Sequence, residues 1–147
     1  MKAENRNLKS EIRSNKALSR SRILVMDDEY IVRRLLYRML HESGYDVTLA
    51  ASGTEAIDLY VKAASSGIPF DAVIIDLIVQ DDIGGQELIT KLKEINPQVK
   101  AIVSSGYVNE SAMPALREFG FSAMVAKPFT IENMLGTLRD ILYMRNQ

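Results

Sequence analysis

Five positions with pointed chemistry follow short apolar runs. Asp27 and Asp28 stand after Arg22–Met26, Asp76 after Phe70–Ile75, Ser105 after Lys100–Val103, and Lys127 after Phe121–Ala126. Carboxylates brought into one small cleft repel each other and hold their protons more tightly unless a cation sits among them. Ligands that are all oxygen suit a hard ion, and Mg²⁺ fits best because it takes one or two carboxylates, several waters and a phosphoryl oxygen. A carboxylate beside such an ion and a Lys ammonium is equipped to attack a phosphoryl group in line, the two cations offsetting charge on its equatorial oxygens. Asp76 is the expected nucleophile, and Ser105 and Lys127 are the expected hydrogen-bond partners of the phosphoryl once it is attached.

Each feature alone has a plainer reading. Asp27 and Asp28 also suit the start of a helix, where capping and the helix dipole both favour Asp. Asp76 alone is a loop carboxylate, Ser104-Ser105-Gly106 is turn chemistry, and Lys127-Pro128 is a loop dipeptide open to a cis bond. Their joint recurrence at the ends of apolar runs favours a common site. His41, near Gly44, reads as a solvated side chain rather than a ligand.

The elements that would position these residues follow from periodicity. Arg22–Met26, Asp46–Ala50, Phe70–Ile75, Lys100–Val103 and Phe121–Ala126 read as strands. Between them, Glu29–Ser43 is amphipathic, with Ile31, Leu35 and Met39 beside Val32, Leu36 and Leu40, and Gly44 closes it. Ser52 and Glu55 form a capping box opening a helix whose buried face is expected to be Ala56, Ile57, Tyr60, Val61 and Ala64. Gln86–Ile95 turns Leu88, Ile89 and Leu92 inward. Asn109–Phe119 is a poorer helix, expected to be short or to begin near Pro114. Thr130 caps a last helix with Ile131, Leu135, Leu138 and Leu142 on one face.

Strands without polar alternation, alternating with helices, imply a parallel sheet covered on both faces. The expected fold is a flavodoxin-like, doubly wound α/β domain with five strands in the order 2-1-3-4-5 and its ligand site at the carboxyl ends of the strands. Residues 1–20 are mostly polar, with only Leu8, Ile12 and Leu18 as sizeable apolar side chains, and read as a tail or linker before a domain over 21–147.

Composition narrows the classes. The 147 residues suffice for one core, and 18 Lys and Arg against 19 Asp and Glu leave a net charge of -1, so no global field favours nucleic acid. Cys is absent and His41 is the only histidine, which excludes disulfides, thiolate nucleophiles and multi-His metal centres. No apolar run is long enough to span a bilayer and the N-terminus lacks a secretory pattern, so a cytoplasmic location with no membrane insertion is expected.

At this point the chain, from about Arg22 to Asn146, resembles the receiver domain of two-component response regulators. The resemblance rests on Ile23-Leu-Val-Met-Asp-Asp-Glu29, Val73-Ile-Ile-Asp-Leu77, Val103-Ser-Ser-Gly106 and Val125-Ala-Lys-Pro-Phe129, in order and at matching spacing. It implies Asp76 as phosphoacceptor, Asp27 and Asp28 as the Mg²⁺-binding acidic pair, the Ile78 backbone carbonyl as a further metal ligand, Ser105 as the switch hydroxyl and Lys127 as the phosphate-pairing lysine. It also implies a histidine kinase or phosphotransfer domain as partner, and a homodimer face formed by the fourth helix, the fifth strand and the last helix. The domain would be a signalling switch, not an enzyme beyond its own phosphorylation and dephosphorylation.

The chain departs from the family's pattern in three places. Met124 stands three before Lys127 where the family usually carries an aromatic, Gln80 replaces a common Pro, and the stretch from Asp76 to Gly85 is one residue longer. That loop and the Ser-Ser-Gly-Tyr run ending at Tyr107 are similar to receivers of hybrid sensor histidine kinases. Ile78 and Tyr107 are expected to flank the phosphorylated aspartate, and neither carries a carboxylate or amide to orient water, so slow self-dephosphorylation is expected. A phosphatase of the haloacid dehalogenase type would need a second Asp where Ile78 stands. A nucleotide or flavin binder would need a Gly-rich loop after the first strand. A degenerate interaction module would not need the intact acidic pair.

Overall fold

Runs rich in Val, Ile, Leu and Ala pair side by side because β-branched and aliphatic chains fit a pleated surface buried on both faces. In the computed structural model, which describes residues 20–79, 82–106 and 109–143, these runs are β1 (Arg22–Met26), β2 (Asp46–Ala50), β3 (Ala72–Asp76), β4 (Ala101–Ser105) and β5 (Ala123–Ala126). All neighbours are parallel and the order is β2-β1-β3-β4-β5, the expected doubly wound topology. The helices are α1 (Tyr30–Glu42), α2 (Gly53–Ser65), α3 (Gly85–Ile95), α4 (Met113–Phe119) and α5 (Ile131–Leu142).

The two-residue period of the strands divides the core in two. Leu24, Met26, Val73, Ile75, Ala101 and Val103 meet Ala56 and Tyr60 of α2, Leu88, Ile89 and Leu92 of α3 and Leu116 of α4. Ile23, Val25, Ala72, Ile74, Ile102 and Val125 meet Leu36, Met39 and Leu40 of α1 and Met134, Leu138 and Ile141 of α5.

Helix ends follow local chemistry. The Ser52 hydroxyl accepts the Glu55 N–H at 3.1 Å, and the Glu55 carboxylate reaches back to Ala51 N–H at 3.4 Å, one residue before the partner of an ideal capping box. Pro114 falls in the first turn of α4, after a 3₁₀ turn at Glu110–Ala112, so its missing N–H costs nothing. The Thr130 hydroxyl accepts Asn133 N–H.

Two expected faces need rotation. On α2 the buried line is Gly53, Ala56, Tyr60 and Ala63, with Val61 42% exposed and Ala64 at the surface. On α5 it is Met134, Leu138 and Ile141, with Ile131 53% exposed and Leu135 and Leu142 only partly covered. In both cases several registers of an apolar-rich helix look alike in sequence, and packing selects among them. Ile31 and Leu35 of α1 likewise face outward. The strands also shift slightly: β3 starts at Ala72 and includes Asp76, β4 runs on to Ser105, and β5 begins at Ala123. The expected tail over residues 1–20 lies outside the described residues except for Arg20.

Candidate phosphoacceptor and cation site

Strand order and parity bring the polar residues together. Asp27, Asp76 and Lys127 each stand two residues beyond Val25, Ile74 and Val125, which share one face of the sheet. Parallel pairing aligns the strand ends: Met26 sits opposite Ile75, Asp76 opposite Ser104, and Ser105 opposite Ala126. The ladder continues past the strands, with Asp27 N–H donating to Ala50 and Lys127 N–H to Ser105. Alternation that buries aliphatic chains inside the sheet therefore carries charged chains to one cleft at its end.

That cleft has a volume of about 800 Å³ and is lined by Asp28, Glu29, Asp76, Ile78, Ser105, Gly106 and Lys127. Asp27 lies beneath it, 2% exposed. One Asp27 oxygen accepts Glu29 N–H at 2.9 Å and the other accepts the Lys127 ammonium at 2.6 Å. Arg33 donates to the Asp27 backbone carbonyl at 2.8 Å, fixing the turn into α1. Lys127 Nζ lies 3.7 Å from Asp76 Oδ1. Carboxylate oxygens of Asp27, Asp28 and Asp76 all fall within 4.8 Å of one another.

The charges do not balance within this group. Burial, then the charge of Asp27, pushes the Asp76 carboxyl up to about 6; Asp28 adds to the rise, while Lys127 and Ile78 N–H oppose it. Burial works against the Lys127 ammonium, but the hydrogen bond and charge of Asp27, followed by Asp76 and Glu29, hold its pKa above the usual lysine value. Three oxygen ligands converging around one ammonium, with a carboxyl reluctant to ionise, fit a hard divalent cation.

The cleft thus gathers Asp27, Asp28, Asp76, Ser105, Lys127 and Ile78, the last 53% exposed at its mouth. The Asp27-Asp28 pair does not cap α1 through its side chains at the N-cap position, which is Glu29. Gly85 is required where α3 begins, because a Cβ there would lie 2.8 Å from the Asp76 carbonyl oxygen. The Lys127-Pro128 bond is cis. Tyr107 and Gln80 lie outside the described residues.

Sequence reading missed two features. Glu29 adds a carboxylate to the cleft wall and acts on Lys127. Asp82 accepts the Thr54 hydroxyl at 2.9 Å, tying the loop after β3 to α2. Nothing in the local pattern around Asp82 signals this, since its partner is 28 residues away.

With this geometry in hand, comparison with known proteins defines the class. The family model described as "Response regulator receiver domain" matches residues 23–139, and the chain belongs to that family. It is a receiver domain of two-component signalling. Among curated relatives, it is 32% identical over 123 residues to sensor kinase CckA of Brucella abortus, covering 82% of this chain but 12% of that protein. It is 26% identical over 125 residues to sporulation initiation phosphotransferase F of Bacillus subtilis, covering 85% of this chain and 96% of the relative. It spans half the length of the response regulator MprA of Mycobacterium sp. (strain KMS), at 32% identity. Among solved structures, a CheY-like response regulator receiver domain protein from Methanospirillum hungatei superposes with a TM-score of 0.72 at 26% identity, covering 84% of this chain and 94% of that one. No helix among the described residues is long and apolar enough to cross a membrane.

Proposed function

We propose that this receiver domain takes a phosphoryl group from a histidine kinase or phosphotransfer domain onto Asp76, with Mg²⁺, and signals through protein contacts or onward transfer. The observation that carries the reading is the Lys127 ammonium, 2.6 Å from Asp27 and 3.7 Å from Asp76, beside three carboxylates within 4.8 Å of one another.

Asp27, Asp28 and Asp76, with the Ile78 carbonyl, are the residues to hold the ion. Bound Mg²⁺ supplies positive charge against the phosphoryl oxygens. An Asp76 carboxylate oxygen attacks phosphorus, the O–P bond forms as the donor's N–P bond breaks, and the imidazole leaves with the bonding pair. Lys127 moves from carboxylate pairing to the phosphoryl oxygens, and the Ser105 hydroxyl donates to one of them. These contacts exist only with the phosphoryl in place, so they bias the domain toward one of two conformations. Residues 1–20 serve as a linker or tail to the domain that follows, and the domain acts in the cytoplasm.

The deciding experiment is intact mass measurement after incubation with a small phosphodonor and Mg²⁺. The wild type gains one phosphoryl adduct and Asp76→Ala gains none. An adduct on both, or on neither, removes the reading.

A further inference from the structure

The loop between β3 and α3 leaves the site at Asp76 and returns at Gly85, whose N–H donates to the Leu77 carbonyl at 2.9 Å. Its far side is fastened to a different element. Asp82 Oδ1 accepts the Thr54 hydroxyl at 2.9 Å and Ile83 N–H at 2.6 Å, while Oδ2 lies 3.5 Å from Thr54 N–H. Thr54 is in the first turn of α2, where backbone N–H groups lack helical partners and the dipole favours an anion. Ile83 sits so close to Gly53 that a Cβ on Gly53 would fall 2.3 Å from Ile83 Cγ1, so only glycine admits this seat. The Asp82 carboxyl is held below its ordinary pKa by Ile83 N–H first and by the Thr54 hydroxyl next, as an anion with real donors should be.

We propose that Asp82 is a positioning residue for the phosphoacceptor loop: by accepting the Thr54 hydroxyl it pins the segment between β3 and α3 to α2 and fixes the cation-binding end of that segment. The proposal rests on the Mg²⁺ site described under Proposed function. A loop that leaves and re-enters at adjacent residues is held at its base by the Leu77–Gly85 hydrogen bond, but its swing is set by whatever grips the far side. Among the described residues that grip is one carboxylate, one hydroxyl and one side chain seated on a glycine. Losing it lets Ile78, two residues after the nucleophile, sample positions that a bound ion would have to select against.

Calorimetric titration of the full chain with MgCl₂ tests the clasp. Asp82→Ala and Thr54→Val each raise the Mg²⁺ Kd by roughly three- to tenfold, at or below the lower end of what lost outer-shell contacts cost a metal site. The double variant is no weaker than the worse single, because both break one device. Asp82→Asn keeps an acceptor oxygen and stays near wild type. If Thr54→Val binds as wild type while Asp82→Ala and Asp82→Asn weaken equally, Asp82 supplies charge alone and the clasp is overturned; unchanged affinity in every variant overturns it too. A wild type without saturable Mg²⁺ binding sinks the Mg²⁺ reading instead. Hydrogen exchange of the metal-free chain then decides the clasp by itself: Thr54→Val speeds exchange of the Gly85 amide if the grip is real and leaves it unchanged if it is not.

Discussion

The two ends of β1 face opposite electrostatic situations. At its amino end Arg22 is surrounded by acceptors: its guanidinium meets Asp46 at 3.3 Å and the Ile68 carbonyl, its backbone N–H donates to Asp71 at 2.7 Å, and its side chain lies 4.6 Å over the Phe70 ring. At the carboxyl end Asp27, Asp28 and Asp76 crowd around Lys127. At the first end Arg20 and Arg22 line one pocket with Asp46 and Asp71, two charges of each sign, whereas carboxylates outnumber ammonium groups at the second. A matched end serves the fold. An unmatched one costs stability, and under the proposed function a divalent cation is what would offset it.

The largest effect that tests this contrast comes from removing Lys127. Lys127→Met leaves Asp27, 3% exposed at its side chain, without the ammonium that it accepts. Breaking a buried pair by deleting one partner costs about 3 kcal/mol or more, so urea unfolding at pH 7 should show a loss of that order. Mg²⁺ should restore part of it, since a divalent cation replaces the missing charge. A loss that Mg²⁺ leaves untouched would mean that Lys127 acts by packing and that the ends do not differ in kind.

Asp76→Asn works in the other direction. The Asp76 carboxyl titrates near 6 in the folded chain against 3.8 for an unperturbed aspartate. Below about pH 4 both states hold the proton and no penalty exists. Between 4 and 6 the unfolded chain ionises first, so stability falls as pH rises, and above 6 the penalty is constant. Without divalent cations, Asp76→Asn should therefore stabilise by up to about 3 kcal/mol at pH 7, and by nothing near pH 3.5. Stability measured across that range gives the sign directly; a gain that persists at low pH would assign the effect to something other than ionisation.

How much of this was legible follows from the range over which each signal acts. Strand order, the two core layers and the cleft residues were readable because they are written locally: apolar runs, then Asp27, Asp28, Asp76, Ser105 or Lys127 at their ends. The exact buried line of α2 and α5 was not, because Val61 and Ile131 are as apolar as Ala63 and Met134 and only the partner surface chooses between them. The Asp82 clasp was hidden for a related reason. It joins residues 28 apart whose neighbours give no hint of each other. Ser104 marks a further gap: its hydroxyl is buried without a hydrogen-bond partner among the described residues, beside Asp76 in register, although Ser104-Ser105 reads as turn chemistry in sequence.

The amino end gives the smallest effect and the control. Arg22 is 23% exposed and Asp46 51%, so solvent screens their pair and it contributes little, on the order of 0.5 kcal/mol. The stack over Phe70 adds about 0.5–1 kcal/mol, and the aliphatic stem covers apolar surface. Arg22→Ala should then destabilise by about 1–2 kcal/mol, less than Lys127→Met, and the loss should be the same with and without Mg²⁺. Arg22→Lys keeps the charge but lacks the planar group that lies over Phe70 while reaching Asp46, so it should recover only part of the loss. High salt should shrink the Asp46 share and leave the Phe70 share in place, because screening acts on the exposed pair and hardly on a stacked contact. Equal Mg²⁺ sensitivity at Arg22 and Lys127 would mean that the cation stabilises the whole domain rather than one end of its sheet.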